Sequence, residues 1–218
     1  MSGNSDASPE PVVGVLLAGG QSRRMGGGDK CLLELAGKPL LAHVIERLRP
    51  QTGALVLNVN GDLERFSEFG LPTVADPVEG FAGPLAGVLA GFDWARQYAP
   101  GARWIVTAAT DTPFFPQDLV LRLLDSTQGQ YPAIALAACG GRMHPVFGLW
   151  PVALGSDLRE ALESGTRKVL DWTGRHTTMT ADFPPARIGD ATLDPFFNAN
   201  RPEDLSRAES LLAEAVET

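Results

Sequence analysis

The sequence predicts an α/β fold on one doubly wound, mostly parallel sheet, and three observations carry that prediction. Short apolar runs rich in β-branched residues recur at Val12–Leu17, Ala54–Val59 and Trp104–Ala108. They are apolar on both faces, as central strands of a parallel sheet must be. Amphipathic stretches with helical spacing lie between them. The resulting βαβα order winds helices onto both faces of an open sheet through right-handed crossovers, a Rossmann-like arrangement.

Each element has its own signal. Thr73–Ala75 is a shorter strand candidate. Pro39–Leu48 opens with a proline and carries Leu40, Leu41, Val44, Ile45 and Leu48 on one helical face. Gly83–Tyr98 and Gln117–Leu124 repeat that pattern. In the second half, Ala133–Ala138 and Val146–Trp150 flank a "CGGRMHP" turn and predict a small antiparallel addition. Leu154–Glu163 and Lys168–Trp172 read as helices, and Thr177–Ala181 alternates like a strand. The closing "FFNANRPEDLSRAESLLAEA" reads as a strand followed by a helix. Asn200 is the expected N-cap of that helix, with Glu203 three residues on. No repeat or linker divides the chain. We expect residues 1–11 to be a disordered tail and residues 12–218 to form a single domain.

Composition narrows the partners. The chain has 218 residues, 44% hydrophobic, with a formal net charge of -8. That balance argues against non-specific nucleic-acid binding. It also makes the cluster of Arg23, Arg24 and Lys30 stand out as a local anion site. Cys31 and Cys139 have no CxxC spacing and no nearby His, so both read as reduced thiols. No apolar run approaches the ~18 residues that span a bilayer, and the first residues lack a signal peptide's pattern. The expectation is a cytoplasmic protein, monomeric, without membrane or nucleic-acid partners.

The stretch "VVGVLLAGGQSRRMGGGDKCLLEL" carries the chemistry. In open parallel sheets, ligands bind beyond the carboxyl ends of the strands. Gly19 and Gly20 remove side chains where a nucleotide must approach the backbone, and leave N–H groups for phosphate oxygens. Arg24 and Lys30 can neutralise a triphosphate through charge-assisted bonds. A P-loop would need Ser or Thr after the lysine, but Cys31 stands there. A dinucleotide fingerprint would need different glycine spacing running straight into a helix. Neither fits.

The string from Leu16 to Leu48 resembles the signature of the nucleotide-sugar-type nucleotidyltransferases. Within them it is most similar to the molybdenum cofactor guanylyltransferases, the MobA family. The likeness continues through "VLNVNGD", "VADP", "GPLAGVLAG", "ATDTPF", "HPVFGLW" and "FNANRPEDL". It implies transfer of GMP from GTP to the phosphate of molybdopterin, with Mg²⁺ required and pyrophosphate released. It also implies molybdoenzymes that accept the cofactor, or their chaperones, as partners.

Residue by residue, the likeness and the chemistry point to one edge of the sheet. Leu17, Ala18, Gly19 and Gly20, the "LAGG" of the loop, are expected to bind GTP together with Lys30, Asn58, Asp76 and Asp111. Arg24, Lys30 and Asp111 are the expected catalytic set. Asp111 follows the apolar run "WIVTAAT", and a carboxylate at the tip of a central strand is a good hard-oxygen ligand for Mg²⁺. Asn58 and Asp76 stand at or beyond two other strand ends, where amide and carboxylate can read hydroxyls or base edges. Gly83–Gly87 either approaches the base closely or packs tightly. The likeness puts His144 on the acceptor side. Asn198 and Asn200 flank Ala199 and would share one side of a strand, where they would hold metal or molybdopterin. No Ser/His/Asp set is evident, consistent with direct transfer. The rival readings are a cytidylyltransferase on the same pterin, where "AAG" would be expected in place of "LAGG", and a non-catalytic nucleotide-dependent cofactor carrier.

Overall fold

The computed structural model describes residues 11–18, 29–78, 80, 83–188, 191–199, 203–206 and 208–209. Gly19, Gly20, Arg24 and Asn200 lie outside them, as does the expected tail apart from Pro11.

Strand β1 (Val12–Leu17) leads toward the glycine-rich loop. Beyond that loop, β2 (Glu34–Leu35) and β3 (Lys38–Pro39) form a small hairpin. Its two central residues, Ala36 and Gly37, have φ of 52° and 72°, the left-handed pair that a two-residue hairpin turn requires. Helix α1 (Leu40–Leu48) follows, burying Leu40, Leu41, Val44, Ile45 and Leu48 as their spacing predicts. Then come β4 (Ala54–Asn58), β5 (Thr73–Val74), α2 (Pro84–Tyr98), β6 (Trp104–Ala109) and α3 (Leu119–Ser126). The second half holds β7 (Ile134–Cys139), β8 (Arg142–Pro151), α4 (Gly155–Glu163), α5 (Val169–Thr173) and β9 (Thr178–Phe183). A separate hairpin, β10 (Ala186–Ile188) with β11 (Ala191–Leu193), comes last.

Among the described residues the main sheet has seven strands, ordered β5-β4-β1-β6-β8-β7-β9. β1 runs parallel to both β4 and β6, and β7 runs parallel to β9. β8 is antiparallel to both of its neighbours, β6 and β7. The fold is therefore α/β with a mostly parallel sheet, as expected. The predicted hairpin is part of the main sheet, with its reversed strand inserted between two that share a direction. A buried polar chain pins that strand: Trp150 Nε1 donates to Thr107 Oγ1 at 2.9 Å, and Thr107 Oγ1 donates to the Val146 carbonyl at 2.6 Å.

Alternating side chains supply the two faces. Val12, Leu16, Trp104, Val106 and Ala108 pack with α1 and α3, whereas Val13, Val15 and Ile105 pack with α2, α4 and α5. Helices thus cover both faces, which is why the central strands read as continuously apolar.

One predicted element is corrected. Residues 197–199 form no strand. Phe196 and Ala199 are buried, and the apolar–polar alternation comes from a segment laid against the domain rather than from sheet pairing. Residues 203–206 are helical, as the closing pattern predicts.

Candidate active site

The carboxyl ends of the parallel strands place the predicted residues in a row. Asn58 closes β4, Asp76 stands two residues beyond β5, and Asp111 two residues beyond β6. Because β8 runs back against β6, its first residues, His144 among them, reach the same edge. Strands lie about 4.8 Å apart, so the row from β5 to β8 extends on the order of 19 Å. That length suits a nucleoside triphosphate with an acceptor beside it.

At one end is an amide–carboxylate network. Asn58 Nδ2 donates to Asp76 Oδ1 at 2.9 Å and to the Val74 carbonyl at 3.2 Å. Asn60 Nδ2 donates to Asp76 Oδ2 at 2.7 Å, and the Asp76 backbone N–H donates to Asn60 Oδ1 at 2.9 Å. Asn58 is 2% exposed, so it faces Asp76 rather than solvent. Within Gly83–Gly87, Gly87 packs tightly. A Cβ on Gly87 would lie 2.4 Å from Leu17 Cδ2 and 2.5 Å from Asn58 Oδ1. Leu17 can swing aside, but Asn58 is pinned by its hydrogen bonds. Gly87→Ala should therefore destabilise the protein by roughly 1–3 kcal/mol, the usual cost of overpacking. Thermal denaturation checks it, and an unchanged melting temperature would show that α2 shifts freely.

The middle of the row holds Lys30 and Asp111. Lys30 opens a 3₁₀ turn, Lys30–Leu32, directly after the glycine-rich loop. Its neighbour Asp29 forms a salt bridge with Arg65, which anchors the end of that loop. Burial pushes the Asp111 carboxyl above the ordinary carboxylate range, and the nearby charge of Lys30 opposes that rise. The Cys31 thiol, buried beside them, is pushed up to about 11 by burial first and by Asp29 next. It is therefore protonated at neutral pH and no nucleophile.

Two contacts brace the turn that holds Asp111. The Ala199 N–H donates to the Asp111 carbonyl at 2.8 Å, and Thr112 Oγ1 donates to Asn198 Oδ1 at 2.8 Å. Thr112 is fully buried, and its hydroxyl also lies 3.4 Å from Asp111 Oδ1. Asn198 therefore comes to Asp111 on an irregular segment, not on a strand.

At the other end is His144. The β7–β8 register breaks between Leu136, opposite Gly148, and Ala137, opposite His144. Pro145, which has no N–H to give a ladder, lies in the break. His144 is 9% exposed and stacks on Phe196 with ring centroids 4.7 Å apart. Its Nε2 lies 3.1 Å from Asp194 Oδ2, off the line of a hydrogen bond. Burial lowers its pKa below the usual histidine value, against the pull of Asp194.

Sequence reasoning brought together the strand-end residues but missed Asn60, Thr112 and Asp194. The repeated Asn of "NVN" could have signalled Asn60, since residues two apart can share a side. Thr112 and Asp194 matter through contacts distant in sequence, which leave no local trace.

A row of carboxylate, lysine and amide groups thus lines the carboxyl edge of a doubly wound sheet, and the fold matches that of solved α/β proteins. One such match is the crystal structure of molybdopterin-guanine dinucleotide biosynthesis protein A from Archaeoglobus fulgidus. Its TM-score is 0.70 at 23% identity, covering 93% of this chain and 100% of that one. The family model of the MobA-like NTP transferase domain matches residues 14–178. The molybdenum cofactor guanylyltransferase of Bradyrhizobium sp. (strain ORS 278) is 53% identical over 203 residues, 93% of each chain. That of Rhodopseudomonas palustris (strain BisB5) is 52% identical over 198 residues, 90% of this chain and 92% of the relative. The chain belongs to the MobA-like NTP transferases, among the molybdenum cofactor guanylyltransferases, and is a nucleotidyltransferase.

Proposed function

We propose that the chain transfers GMP from GTP to the terminal phosphate of molybdopterin. The bond formed joins an acceptor phosphate oxygen to the α-phosphorus, and the bond broken is the α–β phosphoanhydride, so pyrophosphate leaves. The observation that carries this reading is the order of groups along the sheet edge: Asp76 with its amides, then Lys30 and Asp111, then His144. That order supports the reading because it would keep base, phosphates and acceptor apart along one edge, and in-line transfer then needs the acceptor oxygen opposite the departing pyrophosphate.

Each residue has its task. Lys30 meets the phosphate charge, as do Leu17, Ala18, Gly19, Gly20 and Arg24 of the loop. Asp76 meets the base, held by the Asn58 amide at Oδ1. His144, Asn198 and Asn200 serve the acceptor. The low pKa of His144 keeps its ring neutral near pH 7, able to donate a hydrogen bond from one nitrogen or accept at the other.

Asp111 also fits a divalent cation. Its half-buried carboxylate is favoured by the nearby lysine charge, and the hydrogen bond to it from a side chain among the described residues, from Thr112 at 3.4 Å, is long. Among the described residues no three His, Cys, Asp or Glu side chains cluster. A single carboxylate suits Mg²⁺, which usually takes one or two carboxylates and completes its shell with water and substrate phosphates. Bound there, the ion would neutralise charge on the phosphates. No helix among the described residues is long and apolar enough to cross a membrane. Molybdoenzymes or their chaperones would take the product.

The test is donor choice. GTP with Mg²⁺ should raise the melting temperature more than CTP or ATP, and pyrophosphate should appear with GTP and molybdopterin together. A ligand at a hundredfold excess over its dissociation constant stabilises the native state by about 2.7 kcal/mol. Equal shifts with GTP and CTP would sink the guanine assignment. Binding without pyrophosphate release would favour a carrier.

A further inference from the structure

We infer that Asn60 is a positioning residue for nucleobase selection, acting through the Asp76 carboxylate; the inference rests on the guanylyl reading above. Asp76 follows β5, a strand of two residues, in irregular chain. Nothing in regular structure fixes its side chain. The fixing comes from Asn60, which pairs with it twice, accepting from its backbone N–H at 2.9 Å and donating to Oδ2 at 2.7 Å. Asn58 holds the other oxygen, Oδ1, at 2.9 Å. The two amides set the plane of the carboxylate and leave each oxygen a further lone pair.

A carboxylate with its plane set accepts two side-by-side N–H donors. Guanine offers that pair on its Watson–Crick edge, N1–H beside the N2 amino group. Cytosine and adenine place a ring acceptor beside their amino group, which would face the second oxygen with like partial charge. Position agrees: Asp76 stands beyond β5, two strands from β1 in the sheet. With the phosphates at Lys30 and Asp111, the base reaches toward Asp76. Asn58 cannot serve in its place, because its amide already donates to Asp76 and Val74 and it is buried. Asn60 is exposed, so its replacement spares the core.

The experiment measures affinity for GTP, for ITP, which lacks the N2 amino group, and for CTP and ATP, in the parent, Asn60→Ala and Asn60→Ser. Steady-state pyrophosphate release with molybdopterin supplies KM and kcat. A site built to hydrogen-bond a group rejects the analogue lacking it, so the parent should prefer GTP over ITP on the order of tenfold or more. In Asn60→Ala that ratio should fall to about threefold or less, with KM for GTP raised on the order of tenfold and kcat within about twofold. Should Asn60→Ala lose stability, Asn60→Ser, which cannot span both partners, supplies the same ratio. A parent that prefers GTP and a variant that keeps the preference would overturn the role of Asn60 and leave the guanylyl reading intact. A parent with no preference for GTP over CTP and ATP would instead remove that reading.

Discussion

Asp111→Asn should lower turnover on the order of a hundredfold or more, equivalent to about 2.7 kcal/mol of lost barrier lowering. Asparagine keeps the shape and one oxygen but removes the negative charge that would fix a divalent cation against the triphosphate. Charge developing in transfer would then be poorly met. Stability should move the other way. Burial holds the Asp111 carboxyl above its unfolded value, so the unfolded chain gives up this proton more readily than the folded one. Folding therefore loses stability as pH rises from the ordinary carboxylate pKa through the raised one, and above that window the ionised group is a net cost. A neutral amide avoids that cost, so melting without nucleotide should stay at the parent value or rise. Single-turnover pyrophosphate release across a magnesium titration decides the first part, and a thermal scan the second. Parental rate at every magnesium concentration would leave Asp111 as a turn residue.

Lys30→Ala should weaken GTP binding by roughly 1.5–3 kcal/mol, the worth of a hydrogen bond to a charged group. In affinity that is about tenfold to a hundredfold or somewhat more. Lys30 stands at the exit of the glycine-rich loop, next to the Asp29 that Arg65 anchors. It also opposes the rise of the Asp111 pKa. Its loss should therefore both remove a phosphate partner and raise the Asp111 pKa further. Calorimetric titration with GTP at several salt concentrations checks this, because the parent should lose more affinity with added salt than the variant. Equal affinity in the two proteins would show that the loop is not the phosphate site.

Much of the scaffold was legible because it rests on local pattern. Val12–Leu17 and Trp104–Ala109 are apolar on both faces because helices cover both, and that requirement is written into every residue of the run. Strand ends were legible for the same reason, and with them Asn58, Asp76 and Asp111. Strand partnership was not, since β8 carries no mark saying that it lies between β6 and β7. The stretch around Asn198 misled because Phe196 and Ala199 are buried against the domain, one stacked on His144 and the other hydrogen-bonded to Asp111. Alternation there records a tethered segment, which period alone cannot tell from a strand. Asn60 escaped because its importance lies in a partner sixteen residues away.

The brace across the Asp111 turn has a consequence for how the chain comes off the ribosome. Thr112 and Asn198 are 86 positions apart. All seven strands of the main sheet are synthesised by Phe183, before the residues that brace the turn. A nascent chain at that stage already has Lys30, Asp76 and Asp111, the residues proposed to hold the nucleotide. It still lacks Asp194 beside His144 and the Ala199 and Asn198 contacts. The residues proposed to hold the donor are thus encoded early in translation, whereas the brace of the Asp111 turn and the Asp194 neighbour of His144 come only late.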